Sequence, residues 1–177
     1  MSQTEIAGCR LALAGETPAK GLQFPDLECT TVVGRRIRLS DYRGRSNLVL
    51  VFTDDRKTSA ELLSQIAGSN DQFRSHEVEV IAVTQYPENE CARIEEELRL
   101  PFAVLPDEDG RIHRKAGAGD PQGRSAPVVY VTDRYGEVFA AWRARDDQTL
   151  PDVAEILSWL EFIDIQCPEC EPPEWPA

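Results

Sequence analysis

Two short runs constrain the fold more than anything else in this chain. Asn47-Leu-Val-Leu-Val-Phe52 and Val78 to Val83 are almost unbroken apolar residues of high β-propensity. A strand that faces water on one side alternates apolar and polar residues. A continuous run is buried on both faces. Two such strands need helices on each side of their sheet, and the rest of the chain supplies them. Leu62, Leu63 and Ile66 recur at helical spacing and predict a helix from about Ser59 to Phe73. Pro87 to Leu100 predicts a charged helix. Val153, Ile156, Leu157, Leu160 and Ile163 mark the apolar stripe of a last helix, starting near Thr149 with Pro151 in its first turn.

The remaining strands are shorter. Pro101 to Leu105 reads as one, followed by the turn Pro106-Asp-Glu-Asp-Gly110. Ala126 to Thr132 and Val138 to Ala144 form a hairpin around Asp133-Arg-Tyr-Gly136. Upstream, Pro25 to Thr31 and Arg36 to Leu39 flank Gly34 as an N-terminal hairpin, and Ser40 to Gly44 reads as one helical turn. The expectation is an α/β chain with a central mixed sheet flanked by helices. Leu48–Phe52 and Val78–Val83 are expected side by side and parallel at its centre, with the later strands antiparallel to them.

At 177 residues the chain fits one domain. We divide it into an arm without period (1–20), the domain (21–165) and a Cys/Pro-rich tail (166–177), whose four prolines forbid a helix. The net charge of −12 repels phosphate backbones and anionic lipid, so no nucleic acid and no membrane is expected as a partner. Glu95-Glu96-Glu97 reads as a solvated helix face. The start of the sequence lacks a secretory pattern. With five cysteines, an odd number, that predicts a reducing compartment, the cytoplasm.

Several pieces in order carry a family likeness. Phe24-Pro-Asp-Leu27 is similar to an opening Ala-Pro-Asp-Phe. Ile37-Arg-Leu-Ser-Asp-Tyr-Arg-Gly44 resembles a Val-x-Leu-Ser-Asp-Tyr-x-Gly element. Leu100-Pro-Phe-Ala-Val-Leu-Pro-Asp-Glu-Asp-Gly110 resembles Leu-Pro-Phe-x-x-Leu-x-Asp-x-x-Gly. Over about residues 20 to 163 the chain resembles the peroxiredoxin branch of the thioredoxin-like superfamily, the alkyl hydroperoxide reductase/thiol-specific antioxidant group. The resemblance implies a thioredoxin-like fold. It also implies an active site reading P-x-x-x-T-x-x-C after the first central strand. Placed without gaps, Asp54 takes the proline position, Thr58 the threonine, and Glu61 the peroxidatic cysteine. No cysteine lies between Cys29 and Cys91. The family chemistry needs a thiolate, and a carboxylate cannot replace it. A Cys-x-x-Cys of the thioredoxin kind would fall near Lys57 and Ala60, and is missing too. The resemblance further implies a cis peptide bond before Pro127, facing the loop 53–60. Arg124 is the nearest candidate for the family's peroxide-activating arginine, and receives no role.

What remains is Cys167-Pro-Glu-Cys170. Three readings stand open. The pair is a redox couple; or it is half of a zinc knuckle, completed by a symmetry mate, Cys9, His76 or His113; or it is an inert pair in a tail docked through Trp175. Cys29 reads as a small buried strand residue, and Cys91 as incidental on a polar helix. His113, beside Arg111, Arg114 and Lys115, reads as a surface residue without a partner for base chemistry. Asp54, Asp55 and Glu61 read as acids favoured by a helix N-terminus. Trp142 and Trp159 read as core. Two functions follow. One is a divergent thiol oxidoreductase acting through Cys167 and Cys170, with no cofactor and with a thiol reductant or protein as partner. The other is a non-catalytic binding module, a homodimer if zinc bridges two copies.

Overall fold

The structure, a computed structural model, describes residues 20–31, 33–54, 57–119, 126–144 and 149–166. A five-stranded sheet holds β3 (Asn47–Thr53), β4 (Val78–Thr84), β5 (Val104–Pro106), β6 (Val128–Thr132) and β7 (Val138–Arg143). Its order is β5-β4-β3-β6-β7. The expected central pair is there: β3 and β4 run parallel, with Leu50 opposite Ile81. β6 lies antiparallel on the other side of β3, with Leu50 opposite Tyr130, and β7 is antiparallel to β6. A separate two-stranded sheet joins β1 (Glu28–Thr30) to β2 (Arg36–Arg38). Its turn uses Gly34 at φ +75°, a left-handed conformation that costs little without a Cβ.

Every residue of β3 is buried, because its alternate side chains enter two different cores. Val49 and Val51 pack with Leu62, Leu63, Ile66, Phe73, Cys91, Ile156 and Leu160 on the helical face. Leu48, Leu50 and Phe52 pack on the other face, with Ile37 and Leu39 of the hairpin segment and Ile112. At ~25 cal/mol per Å², burying such side chains from both faces is the main drive for this layering.

The helices differ from the sequence expectation at their ends. The helix expected over 59–73 is two, α1 (Lys57–Gly68) and α2 (Asn70–Ser75). Gly68 is a weak helix former, and Ser69 leaves helical geometry at φ −108°, ψ 15°. The break lets Phe73 turn fully inward. α3 covers Glu88–Glu97, shorter than 87–100, and the following strand sits at 104–106 rather than 101–105. α4 (Arg111–Lys115) has no counterpart in the sequence reading. α5 (Val153–Asp164) starts one residue past Asp152, whose carboxylate accepts the Glu155 amide at 2.8 Å. This cap places Pro151 before the helix and not within its first turn. A 3₁₀ turn at Leu39–Tyr42 stands where one helical turn was expected. No helix among the described residues is long and apolar enough to cross a membrane.

Candidate functional site

The family likeness points to the end of the sheet where β3 enters α1. Phe52 pairs with Val128, and Thr53 with Thr84, so β3, β4 and the start of β6 converge there. Ser59, buried in the first turn of α1, donates its hydroxyl to Asp54 Oδ1 at 2.9 Å. That bond ties the strand end to the helix. Thr58 and Glu61 are exposed on α1, whereas Leu62 and Leu63 face the core. The gap-free site thus presents a hydroxyl and a carboxylate to solvent. No described residue of this loop carries sulfur.

Pro127 is buried beside this end, one residue before the Val128–Phe52 pair. Its expected cis bond is corrected: no peptide bond among the described residues is cis, so Ala126–Pro127 is trans. Trans is the lower-energy form even before proline, by ~0.5–1 kcal/mol. At a strand start the missing N–H breaks no ladder bond. The Pro127 carbonyl accepts the Ala144 amide at 2.9 Å, as an extended residue should. Arg124 lies outside the described residues.

Sequence reasoning missed two groups at this pole. The first is His113, expected at the surface and found fully buried. Its Nδ1 lies 2.7 Å from Asp107 Oδ2. The same carboxylate accepts the Ile112 amide at 2.9 Å and the His113 amide at 2.8 Å, so Asp107 clamps the start of α4. Burial pushes the Asp107 carboxyl up, but the His113 ring and the two amides outweigh it and hold its pKa below the usual carboxylate range. Phe52 packs edge-on to the imidazole with ring centroids 5.2 Å apart. His113 Nε2 has no hydrogen-bond partner among the described residues, and no nucleophile is placed on it. An Asp–His pair can serve a base, but this one is closed to solvent and acts as a structural clamp. The motif Asp of Leu100–Gly110 was the available signal. Only tertiary burial pairs it with His113.

The second is Arg143, at the end of β7. Its guanidinium donates to the carbonyls of Gly117 and Gly119, pinning the chain beyond α4. Tyr130 reinforces this with a buried hydroxyl bond of 2.8 Å to the Ala116 carbonyl.

The described cysteines are poor nucleophiles. Cys29 is half-buried, with its thiol directed at the Pro106 carbonyl at 3.6 Å. Burial pushes its pKa up to about 11. Cys91 is fully buried in the helical core, and burial pushes it up to about 12. Both are overwhelmingly protonated near neutrality, and it is the thiolate that reacts. Among the described residues no group of three or more His, Cys, Asp or Glu is placed to hold a metal. His113 is too enclosed to complete a zinc site with the tail. His76 Nδ1 is already 2.5 Å from Asp164 Oδ2. Cys9, Cys167, Cys170 and Trp175 lie outside the described residues. Trp142 and Trp159 are half-buried, packed against the helical core.

The model of the AhpC/TSA family matches residues 21–141. Peroxiredoxin Bcp of Bacillus subtilis (strain 168) is 22% identical over 151 residues, covering 76% of this chain and 96% of that protein. Peroxidoxin BcpB from Mycobacterium tuberculosis superposes with a TM-score of 0.72 at 17% identity, over 84% of this chain and 97% of its own. Mycobacterium tuberculosis AhpC does so with a TM-score of 0.68 at 18% identity, over 90% and 98%. The two structural matches bear on the fold, a thioredoxin-like one with the mixed sheet and hairpin described above.

Proposed function

The chain belongs to the AhpC/TSA family, and on that premise we propose that it is a divergent thiol oxidoreductase of the redoxin kind, whose reacting sulfurs are Cys167 and Cys170. One observation carries this reading. The start of α1 carries exposed Thr58 and Glu61 and no sulfur among its described residues, while the two described cysteines are held protonated by burial. The paired sulfurs of Cys167-Pro-Glu-Cys170 are the remaining dithiol in the sequence.

The last described helix leads away from the helix entry. α5 ends at Asp164, which bonds His76 beside the first residues of β3 and β4. Thr58 and Glu61 sit past the last residues of β3. Seven strand residues separate the two ends, about 20 Å at ~3.3 Å each. Cys167 directly follows Gln166 in the sequence. The chemistry we assign to the pair is dithiol–disulfide exchange. The two thiols reduce a substrate disulfide to two thiols, both protons pass to it, and the Cys167–Cys170 bond forms. A thiol reductant, in keeping with a cytoplasmic setting, then reopens that bond.

The alternative is a binding module that kept the fold and lost the chemistry. It is favoured by the four prolines of the tail sequence, which forbid a helix whose N-terminus could lower a thiol pKa. In that case Cys167 and Cys170 are inert, or join the same pair of a second copy around zinc. Counting free thiols before and after a mild disulfide oxidant, with elemental analysis of the same sample, separates these. Loss of two thiols per chain without linked chains supports the redox pair. Half a zinc per chain, or thiols that stay reduced and unreactive, supports the module.

A further inference from the structure

The chain is acidic, yet Arg35, Arg36, Arg38, Arg43 and Arg45 crowd into eleven residues. Three of them, Arg35, Arg36 and Arg45, line a cleft of about 200 Å³ at the pole where β3 begins, together with Tyr42, Asp41 and Glu79 among others. Arg36 and Arg38 are engaged: both bind Glu28, at 2.6 and 2.5 Å. Their guanidiniums hold the Glu28 carboxyl down at about 2. Arg35 and Arg45 are exposed, and neither guanidinium pairs with a carboxylate of the described residues. Two unpaired guanidiniums facing one concave site form a receptor for carboxylates.

We propose that the acidic C-terminal tail of the same chain, residues 167–177, docks in this arginine cleft. Three observations select that occupant. The tail carries Glu169, Glu171 and Glu174 and no Lys, Arg or His, so its charge is opposite to that of the cleft. It also starts at the right pole. Asp164 bonds His76 at 2.5 Å, the His76 carbonyl accepts Asn47 Nδ2 at 3.2 Å, and Asn47 stands two residues past Arg45. Its length suffices. Eleven residues reach up to ~36 Å, while passing from the helical face to the hairpin face crosses layers ~10 Å apart. Elsewhere the net charge of −12 repels such a segment. Trp175 adds a ring on which a guanidinium can stack.

The docking does not rest on the redox reading, since glutamates pair with arginines whether or not the sulfurs react. It does bear on that reading: a guanidinium near Cys167 or Cys170 would favour the thiolate, which the tail's own sequence does not.

The test is amide hydrogen exchange of residues 35–46 in the full chain, kept reduced, at about 50 mM salt where charge pairing is little screened. Two tails are compared, the natural one and E169K/E171K/E174K. Each is placed on two clefts, the natural one and R35E/R45E. On the natural cleft, reversing the tail is expected to speed exchange roughly threefold or more, and the difference should shrink about tenfold higher in salt. On the reversed cleft the order should invert, with the lysine tail protecting. Equal exchange with both tails on the natural cleft overturns the proposal. So does an effect that ignores salt. Protection that rises with protein concentration overturns it too, because the occupant is then the tail of a second copy.

Discussion

Removing the Asp107 carboxylate tests the clamp at the start of α4. In Asp107→Ala the amides of Ile112 and His113 and the His113 ring all lose their acceptor. The site is almost closed to water, with Asp107 4% and His113 0% exposed. Each buried donor left without a partner costs ~1–3 kcal/mol. Hydrogen bonds to a charged acceptor are each worth ~1.5–3 kcal/mol. The amides at the start of α4 can recover some hydration after local loosening, so we expect a loss of about 3–5 kcal/mol. That is a large share of the ~5–15 kcal/mol typical of a domain. Urea unfolding followed by circular dichroism should show a lower midpoint with an unchanged slope. His113→Ala should couple to it, with the double variant losing at least ~1 kcal/mol less than the sum of the singles. The pH dependence has a fixed sign. The folded pKa of Asp107 lies below the ~3.9 of an unfolded chain. Its contribution is therefore complete above that value and disappears as pH falls through the lower folded value. The share of the difference that comes from the Asp107 charge should shrink as pH falls below ~4. A loss under ~1 kcal/mol, or a gap that widens in acid, would refute the reasoning.

Three further outcomes follow from the structure. In a variant lacking Cys9, Cys167 and Cys170, alkylation of Cys29 at pH 7.5 should be slow and should rise about tenfold per pH unit up to about pH 10, since its thiol titrates near 11. Cys91, fully buried, should react only on unfolding, which mass spectrometry of quenched samples reads directly. Gly110→Ala should lower stability by ~1–2 kcal/mol in a thermal melt, because residue 110 sits at φ +64° and a new Cβ would come within 2.4 Å of Gln85 Nε2.

The sheet was legible because its evidence is local. Asn47–Phe52 and Val78–Val83 carry no polar alternation, and a strand buried on both faces is the economical way to hide such runs. Their parallel pairing and the antiparallel β6 appear as expected, whereas β7, antiparallel to β6 through its hairpin, runs in the same direction as β3 and β4 and corrects the expectation for the last strand. At the helix entry the sequence shows only that no cysteine lies between Cys29 and Cys91, which is a matter of composition and not of packing. What escaped depends on distant residues meeting. Arg111-Ile-His-Arg-Lys115 has too few apolar positions to mark α4, and His113 gains its partner only when the turn after β5 folds Asp107 beneath it. The break at Gly68–Ser69 was masked by a helical pattern that continues through it to Phe73. The likeness to thioredoxin-like proteins suggested a cis bond at Pro127, but the local requirement is only an extended strand start, and trans satisfies it. Arg143 gave no sequence signal, because its role is to bind the carbonyls of Gly117 and Gly119 across the fold.

The central claim, that chemistry has left the helix entry for the tail, is tested most directly by turnover of a disulfide substrate with a thiol reductant in three proteins. They are the natural chain, Thr58→Ala/Glu61→Ala, and Cys167→Ser/Cys170→Ser. The account predicts equal rates for the first two, within about twofold, because Thr58 and Glu61 are exposed residues with no sulfur to lose. It predicts loss of turnover in the third, leaving at most the ~1% or less expected without the attacking thiolate. Turnover that persists without Cys167 and Cys170, or that collapses on changing Thr58 and Glu61, would contradict it.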